Sequence, residues 1–69
     1  MPDSTKYDFK ITLKAARVNA GYSQRDVESG TGYSRTTLTR WESGKASPKF
    51  KDLVRLCAFY GIPIELIKM

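Results

Sequence analysis

Four of the five glycines recur at intervals that divide this 69-residue chain into short segments, namely Gly21, Gly32, Gly44 and Gly61. Residues that favour a helix N-terminus follow the first three breaks, namely Ser23, Ser34 and Ser47-Pro48. Glycine adopts the left-handed conformation that ends helices, serine caps the first turn, and proline fits that turn. Between the breaks, no run alternates with the period of two that is typical of strands. The pattern predicts an all-α fold of about five short helices.

The breaks also set the predicted helix boundaries. The first helix is capped by Asp8 and ends before Gly21, and the second ends at the glycine-rich run 30–32. The predicted helices cover residues 9–20, 24–29, 35–42, 48–60 and 64–67. Residues 1–7 show no periodicity, so we interpret them as a flexible N-terminal arm and residues 8–69 as a single domain.

Composition disfavours catalytic and metal chemistry. The chain contains no histidine and a single cysteine, Cys57, so an internal disulfide, the usual metal ligand and the usual general base are all lacking. With 41% hydrophobic residues, the chain forms one small core, in which we place Cys57. We therefore expect no cofactor and no enzymatic activity. No apolar run approaches the roughly 18 residues that span a bilayer, so we expect a soluble, cytoplasmic protein without a membrane partner.

Positive charge is concentrated in one stretch of the chain. The net charge is +5, and residues 34–51 contain five cations and one anion. Such a cluster is typical of proteins that bind a polyanion, since each neutralised phosphate releases counterions. A solvated, lysine-rich surface has the same composition, so charge alone leaves both interpretations open. Lys49 and Lys51, at the end of this stretch, fit either interpretation.

The third predicted helix has two contrasting faces. At about 100° per residue, Leu38 and Trp41 fall on one side and are expected in the core. The opposite side carries only arginine and threonine, at Arg35, Thr36, Thr39 and Arg40. Threonine is a weak helix former, so its presence on an exposed face favours a function. Arginine donates twice to guanine and threonine contacts a base or a thymine methyl group, so this face suits the DNA major groove.

Three stretches of sequence together resemble a known family. They are Gly21-Tyr22-Ser23-Gln24, the run from Gly32-Tyr33-Ser34 to Trp41-Glu42-Ser43-Gly44-Lys45, and Pro48 with Leu53, Leu56, Gly61 and Ile62. Their order and spacing are similar to those of the Cro/lambda-repressor-like (XRE-type) helix-turn-helix regulators of phages and mobile elements. The resemblance covers about residues 9–67. It implies a five-helix domain whose third helix enters the major groove of DNA.

The resemblance also implies roles for individual residues. The base-reading positions of the family correspond to Arg35, Thr36 and Arg40, with Thr39 able to assist. The positions that contact the DNA backbone correspond to Gln24, Ser34, Thr37 and Lys45, and we add Lys49 because of its charge. Arg17 and Glu42 correspond to a partly buried ion pair that fixes the recognition helix. Tyr33 fits either packing at the turn or a phosphate contact through its hydroxyl group.

Glu28 departs from the pattern of the family. That position of the second helix normally carries a small residue, often alanine. A carboxylate there either bends out to solvent or pairs with a cation such as Arg25. Together with the glycine-rich run 30–32, Glu28 predicts a looser turn between the second and third helices.

Two classes of function remain open at this point. The first is a sequence-specific DNA-binding regulator, either Cro-like or a small repressor, that acts as a homodimer on a two-fold site in double-stranded DNA. The second is an antirepressor of the same fold, which binds a partner repressor protein instead of DNA. Either function needs a contact surface, and we assign it to the apolar C-terminal residues Ile62, Ile64, Leu66, Ile67 and Met69. For the antirepressor, the basic face laid against an acidic surface is the alternative.

Overall fold

A computed structural model describes residues 10–68 and contains four α-helices followed by a short 3-10 helix. These are α1 (Leu13–Asn19), α2 (Gln24–Thr31), α3 (Arg35–Glu42), α4 (Phe50–Tyr60) and the 3-10 helix (Ile64–Leu66). The predicted all-α fold class is confirmed. The N-terminal arm, the Asp8 cap and Met69 lie outside the described residues.

The first helix begins later than predicted. Thr12 caps α1, and its Oγ1 accepts a hydrogen bond from the backbone N–H of Ala15 at 3.1 Å. Residues 10–12 are not helical, because Ile11 pairs with Ile67 in an isolated parallel bridge. The Ile11 N–H donates to the carbonyl of Leu66 at 2.8 Å, and the Ile11 carbonyl accepts from the N–H of Lys68 at 2.8 Å. This pairing ties the start of the described chain to its end.

The second helix is longer than predicted and runs through two of the three residues expected to break it. Gly30 and Thr31 belong to α2, and the left-handed cap is Gly32, with φ of 86°. Thr31 is buried, and its hydroxyl group donates to the carbonyl of Val27 at 2.7 Å. Gly30 faces the ring of Phe59 so closely that a Cβ atom there would overlap it. Position 30 is therefore a glycine because α2 packs closely against Phe59, and not because the helix ends there.

The fourth helix begins two residues later than predicted. Lys49 occupies the N-cap position in an extended conformation, and its N–H donates to Asp52 Oδ2 at 3.2 Å. Ser47-Pro48 therefore precedes the helix and does not cap it. The reason is that Asp52, in the first turn of α4, supplies the capping acceptor itself.

The core draws apolar side chains from all four α-helices and from the C-terminal segment. Its buried members are Ala16, Val27, Leu38, Leu53, Leu56, Cys57, Tyr60 and Ile67. The predicted core position of Cys57 is confirmed. Phe50 and Val54 share the outer face of α4 and are 71% and 45% exposed. Ile67 is only 3% exposed, so its assignment to a contact surface is wrong, because pairing with Ile11 draws it into the core.

The longest helix within residues 10–68 is α4, with 11 residues. Neither it nor any other helix in this range has the length and apolar character needed to cross a membrane.

Replacement of Gly30 by alanine is expected to destabilise the protein, although this change in a helix usually stabilises by about 0.5–1 kcal/mol. The added methyl group would overlap Phe59, whose ring packs on that of Tyr22 with centroids 4.8 Å apart. We expect a loss of about 1–3 kcal/mol in the free energy of unfolding, measured by urea denaturation. Ser29→Ala is the control at an exposed neighbouring position. A Gly30→Ala variant as stable as the parent would show that this contact does not constrain the packing of α2 on α4.

Candidate nucleic-acid interface

The outward face of α3 consists of arginine and threonine side chains. Leu38 is fully buried, and Trp41 packs against the core with its ring edge-on to that of Tyr33, at a centroid distance of 5.0 Å. These two side chains anchor one side of the helix. The other side leaves four exposed residues, namely Arg35, Thr36, Thr39 and Arg40.

These four side chains meet the N-terminus of α2 in one shallow groove. The groove has a volume of about 360 Å³ and is lined by Gln24, Arg35, Thr36, Thr39 and Arg40. A second groove adjoins it, since both share Gln24 and Thr39, and it extends towards Lys14 and Ser43. The structure thus places all four predicted base-contacting residues beside Gln24. Lys14 is not among the predicted contacts, and its place on α1, one turn before Arg17, is the only sequence signal that points to it.

Arg17 and Glu42 join α1 to the last residue of α3. Arg17 Nε donates to Glu42 Oε2 at 2.8 Å, and Nη2 donates to Oε1 at 3.2 Å. The two side chains are only 11% and 7% exposed. Arg17 Nη1 also donates to the carbonyl of Tyr22 at 2.9 Å. The hydrogen bond to Glu42 raises the pKa of Arg17. The ion pair implied by the family resemblance is present and holds the end of α3 against α1.

Gln24 connects this ion pair to the outward face of α3. Its Nε2 donates to Glu42 Oε1 at 3.1 Å, and its Oε1 accepts from Thr39 Oγ1 at 3.4 Å. Only the amide nitrogen can donate to a carboxylate, so Glu42 determines which way the amide group is turned. The sequence predicts Gln24 as a backbone contact and carries no local signal for its bond to Glu42, which lies 18 positions further on.

The N-terminus of α3 is capped by its own hydroxyl side chains. Ser34 Oγ accepts from the N–H of Thr37 at 3.1 Å and donates to Thr37 Oγ1 at 3.0 Å. Ser34 is exposed and Thr37 is half-buried. Both were predicted to contact the DNA backbone, and both lie at the end of α3 where unpaired backbone N–H groups attract anions.

The loop after α3 presents two lysines. Gly44, with φ of 82°, reverses the chain after α3, and the N–H of Lys45 then donates to the carbonyl of Arg40 at 3.0 Å. Lys45 and Lys49 are both exposed. Their positions on either side of this loop place positive charge beyond the C-terminus of α3.

Tyr33 connects the turn before α3 with α4. Its hydroxyl group donates to Asp52 Oδ1 at 2.7 Å, and the guanidinium carbon of Arg55 lies 5.6 Å from the centre of its ring. Burial and this hydrogen bond raise the pKa of Tyr33, while the bond lowers the pKa of Asp52. Because its hydroxyl group is used internally, Tyr33 packs at the turn and does not offer that donor to phosphate.

Glu28 pairs across the turn, not within its own helix. Its Oε1 lies 3.8 Å from Nε of Arg35, and the side chains are 42% and 57% exposed. Of the two outcomes expected for this carboxylate, exposure to solvent or pairing with a cation, the structure shows pairing, and the cation is Arg35 and not Arg25. The carboxylate points towards Arg35, the Thr31 hydroxyl oxygen accepts a hydrogen bond from the N–H of Tyr33 at 3.3 Å, and Gly32 caps α2. The looser turn stays a prediction.

Metal binding has no support in the part of the chain that the structure describes. Among residues 10–68, no group of three histidine, cysteine, aspartate or glutamate side chains is close enough to hold an ion.

Removal of Arg17 is expected to destabilise the protein because it leaves the buried Glu42 carboxylate without its main partner. We expect Arg17→Ala to lower the free energy of unfolding by about 3–5 kcal/mol in urea denaturation. Arg25→Ala removes an exposed arginine from α2 and is the control. The double variant Arg17→Met/Glu42→Leu should lose less than Arg17→Ala. An unchanged unfolding curve for Arg17→Ala would contradict a structural role for the pair.

The hydrogen bond between Tyr33 and Asp52 predicts a pH dependence of stability. The pKa of Asp52 is lower in the folded chain, so its contribution is complete above its unfolded pKa, about 3.9. The contribution is lost as the pH falls through the folded value. Thermal unfolding should show the parent more stable than Asp52→Asn at pH 7, with the difference beginning to shrink below about pH 4 and disappearing only below the folded pKa of Asp52. Glu65→Gln is the control for removal of an exposed carboxylate. A difference that stays constant with pH would contradict this assignment.

Comparison with known proteins identifies the fold family. A family model described as "Helix-turn-helix" matches residues 13–67. The cryptic phage CTXphi transcriptional repressor RstR of Vibrio cholerae is 35% identical over 60 residues, covering 86% of this chain and 54% of that protein. The SPbeta prophage-derived uncharacterized HTH-type transcriptional regulator YonR of Bacillus subtilis is 32% identical over 59 residues, covering 86% of this chain and 55% of that protein.

A third similar protein comes from an archaeon. The uncharacterized HTH-type transcriptional regulator MJ0272 of Methanocaldococcus jannaschii is 34% identical over 56 residues, covering 81% of this chain and 85% of that protein. The chain spans about half the length of the two phage-related proteins. No solved structure gives a significant match. The family match extends over all four α-helices and the 3-10 helix, and we conclude that this chain belongs to the helix-turn-helix family.

Proposed function

We propose that this protein is a sequence-specific DNA-binding transcriptional regulator that inserts α3 into the major groove of double-stranded DNA. The observation that carries the proposal is the exposed set of two arginines and two threonines on α3, held outward by the buried Leu38 and the ion pair of Glu42. An α-helix fits the major groove, where each base pair has a distinct pattern of donors, acceptors and methyl groups.

The exposed side chains of α3 suit base edges. Arg35 and Arg40 each carry a planar fork of donors that matches O6 and N7 of guanine. Thr36 and Thr39 offer a hydroxyl group to a base and a methyl group to thymine. Gln24, held by Glu42, lies beside them and is able to contact either a base or the backbone.

The surroundings of α3 suit phosphate. Ser34 and Thr37 lie at its N-terminus, and Lys45 and Lys49 lie in the loop beyond its C-terminus. Contacts at both ends of the helix would fix its depth and angle in the groove, whereas the side chains between them would read sequence. The net charge of +5 adds long-range attraction to DNA.

The similar proteins give the regulatory class. One is named a transcriptional repressor from a phage, and two are named transcriptional regulators. By that similarity we propose a repressor of phage or mobile-element type, acting in the cytoplasm of a prokaryotic cell. No part of this proposal uses a cofactor or an enzymatic step.

We further propose that the protein binds DNA as a homodimer. One recognition helix reads about four to six base pairs, and a two-fold site doubles the sequence that is read. The candidate contact surface is the C-terminal segment at Ile62, Ile64 and Leu66, which are half-buried, together with Met69. Ile67 is no longer part of it, since its side chain is buried in the core.

One observation favours a second candidate function. Phe50 and Val54 form an exposed apolar strip on α4. Such a strip fits contact with another protein, as expected of an antirepressor that binds a partner repressor. The two functions differ in whether the chain alone recognises DNA.

Selection from a random pool of double-stranded oligonucleotides tests the proposal. We expect the protein to enrich a defined motif, with two-fold symmetry if the homodimer forms. Binding to the enriched site should weaken steeply with salt. Failure to enrich any motif at low salt would contradict sequence-specific DNA binding and would favour the partner-binding function.

Arg40 and Lys45 should behave differently when replaced by alanine. Arg40→Ala is expected to cost about 1–3 kcal/mol on the selected site and to relax the preference at one base pair. Lys45→Ala should weaken binding to selected and random DNA alike and reduce the salt slope by about 1. Fluorescence anisotropy titrations against both DNAs at several salt concentrations measure these effects. An equal loss on all sequences for Arg40→Ala would make that residue a phosphate contact.

A further inference from the structure

Glu28, whose side chain is 42% exposed, places a carboxylate beside a predicted base-contacting arginine, in a position where the resembling family has a small residue. We propose that Glu28 is a positioning residue that holds Arg35 in the orientation that selects guanine. This inference rests on the proposed function, because it concerns how the same α3 face discriminates between base pairs.

The contact is an ion pair that is too long for a hydrogen bond, and it lies on the Nε side of the Arg35 guanidinium group. Glu28 Oε1 lies 3.8 Å from Arg35 Nε, the nitrogen nearest the aliphatic part of the side chain. A guanidinium group meets paired acceptors either through Nε and one Nη or through its two Nη atoms. The carboxylate lies at the first of these edges. The two Nη atoms are left for the adjacent O6 and N7 acceptors of guanine.

The ion pair between Glu28 and Arg35 connects two helices and restricts the rotamers of Arg35. Glu28 lies on α2 and Arg35 is the first residue of α3, so the contact bridges the turn between the two helices. Arg35 is 57% exposed, and an exposed arginine without a partner samples many rotamers. An arginine held by Glu28 loses less rotamer freedom when it binds a base.

The negative charge of Glu28 also favours discrimination between base pairs. A carboxylate next to the reading surface repels phosphate and partly neutralises Arg35, which weakens the contacts that Arg35 makes with any DNA backbone. Glu28 therefore lowers affinity for random DNA while it supports the guanine contact. An exposed ion pair contributes little to folding, so its removal should leave the melting temperature essentially unchanged.

The test compares Glu28→Gln with the parent on the motif selected by the parent protein. Affinities are measured for the selected site, for its variants at the base pair sensitive to Arg35→Ala, and for random DNA. We expect Glu28→Gln to lower the discrimination at that base pair by about threefold or more and to strengthen binding to random DNA. In the Arg35→Ala background, the same change should leave discrimination unaltered. Glu65→Gln, which removes an exposed carboxylate from the 3-10 helix, is the charge-matched control.

Several outcomes would overturn the inference. They are an equal change on all sequences, no change at all, and a loss of discrimination that persists in the Arg35→Ala background. The last outcome would mean that Glu28 contacts DNA itself or acts through the fold, and a lowered melting temperature would identify the second case. Failure of the parent to select any motif would overturn the proposed function together with this inference, whereas a motif that Glu28→Gln reads unchanged would overturn the inference alone.

Discussion

The ion pair between Arg17 and Glu42 is the interaction on which the proposed DNA-binding surface depends. Glu42 is the last residue of α3, and its carboxylate accepts hydrogen bonds from α1 and from the first residue of α2. Leu38 and Trp41 pack one side of α3 against the core. The buried carboxylate adds directional bonds from two helices. It thereby acts together with Leu38 and Trp41 to keep the other side of α3 towards solvent, and Gln24 extends this constraint to Thr39.

The turn before α3 is constrained from the other side of the molecule. Tyr33 packs on Trp41 and donates to Asp52 of α4, while Gly30 lets α2 approach the ring of Phe59. One end of α3 is therefore held by a buried ion pair and the other by aromatic packing and a hydrogen bond to α4. A recognition helix fixed at both ends presents its exposed side chains with little loss of entropy on binding, which favours specificity.

Local signals in the sequence predict α3 well and the ends of the other helices less well. The boundaries of α3 agree because Ser34 and the break at Ser43-Gly44 act within a few residues. The start of α1 and the end of α2 differ because pairing of Ile11 with Ile67 and the contact of Gly30 with Phe59 join residues far apart in the chain.

In the candidate site, too, the sequence predicts features set by neighbouring residues but not contacts between residues far apart in the chain. The two faces of α3 follow from helical periodicity, whereas the pairing of Arg17 with Glu42 came only from the family resemblance. The contacts of Gln24 with Glu42 and of Glu28 with Arg35 depend on how α2 packs against α3, for which the sequence holds no periodic signal. NMR titration of the isotope-labelled protein with its selected duplex shows whether the exposed side of α3 reads DNA. We expect the largest amide shifts at Gln24 and residues 35–45. Shifts confined to Phe50 and Val54 on α4 would show that α3 does not form the DNA-binding surface.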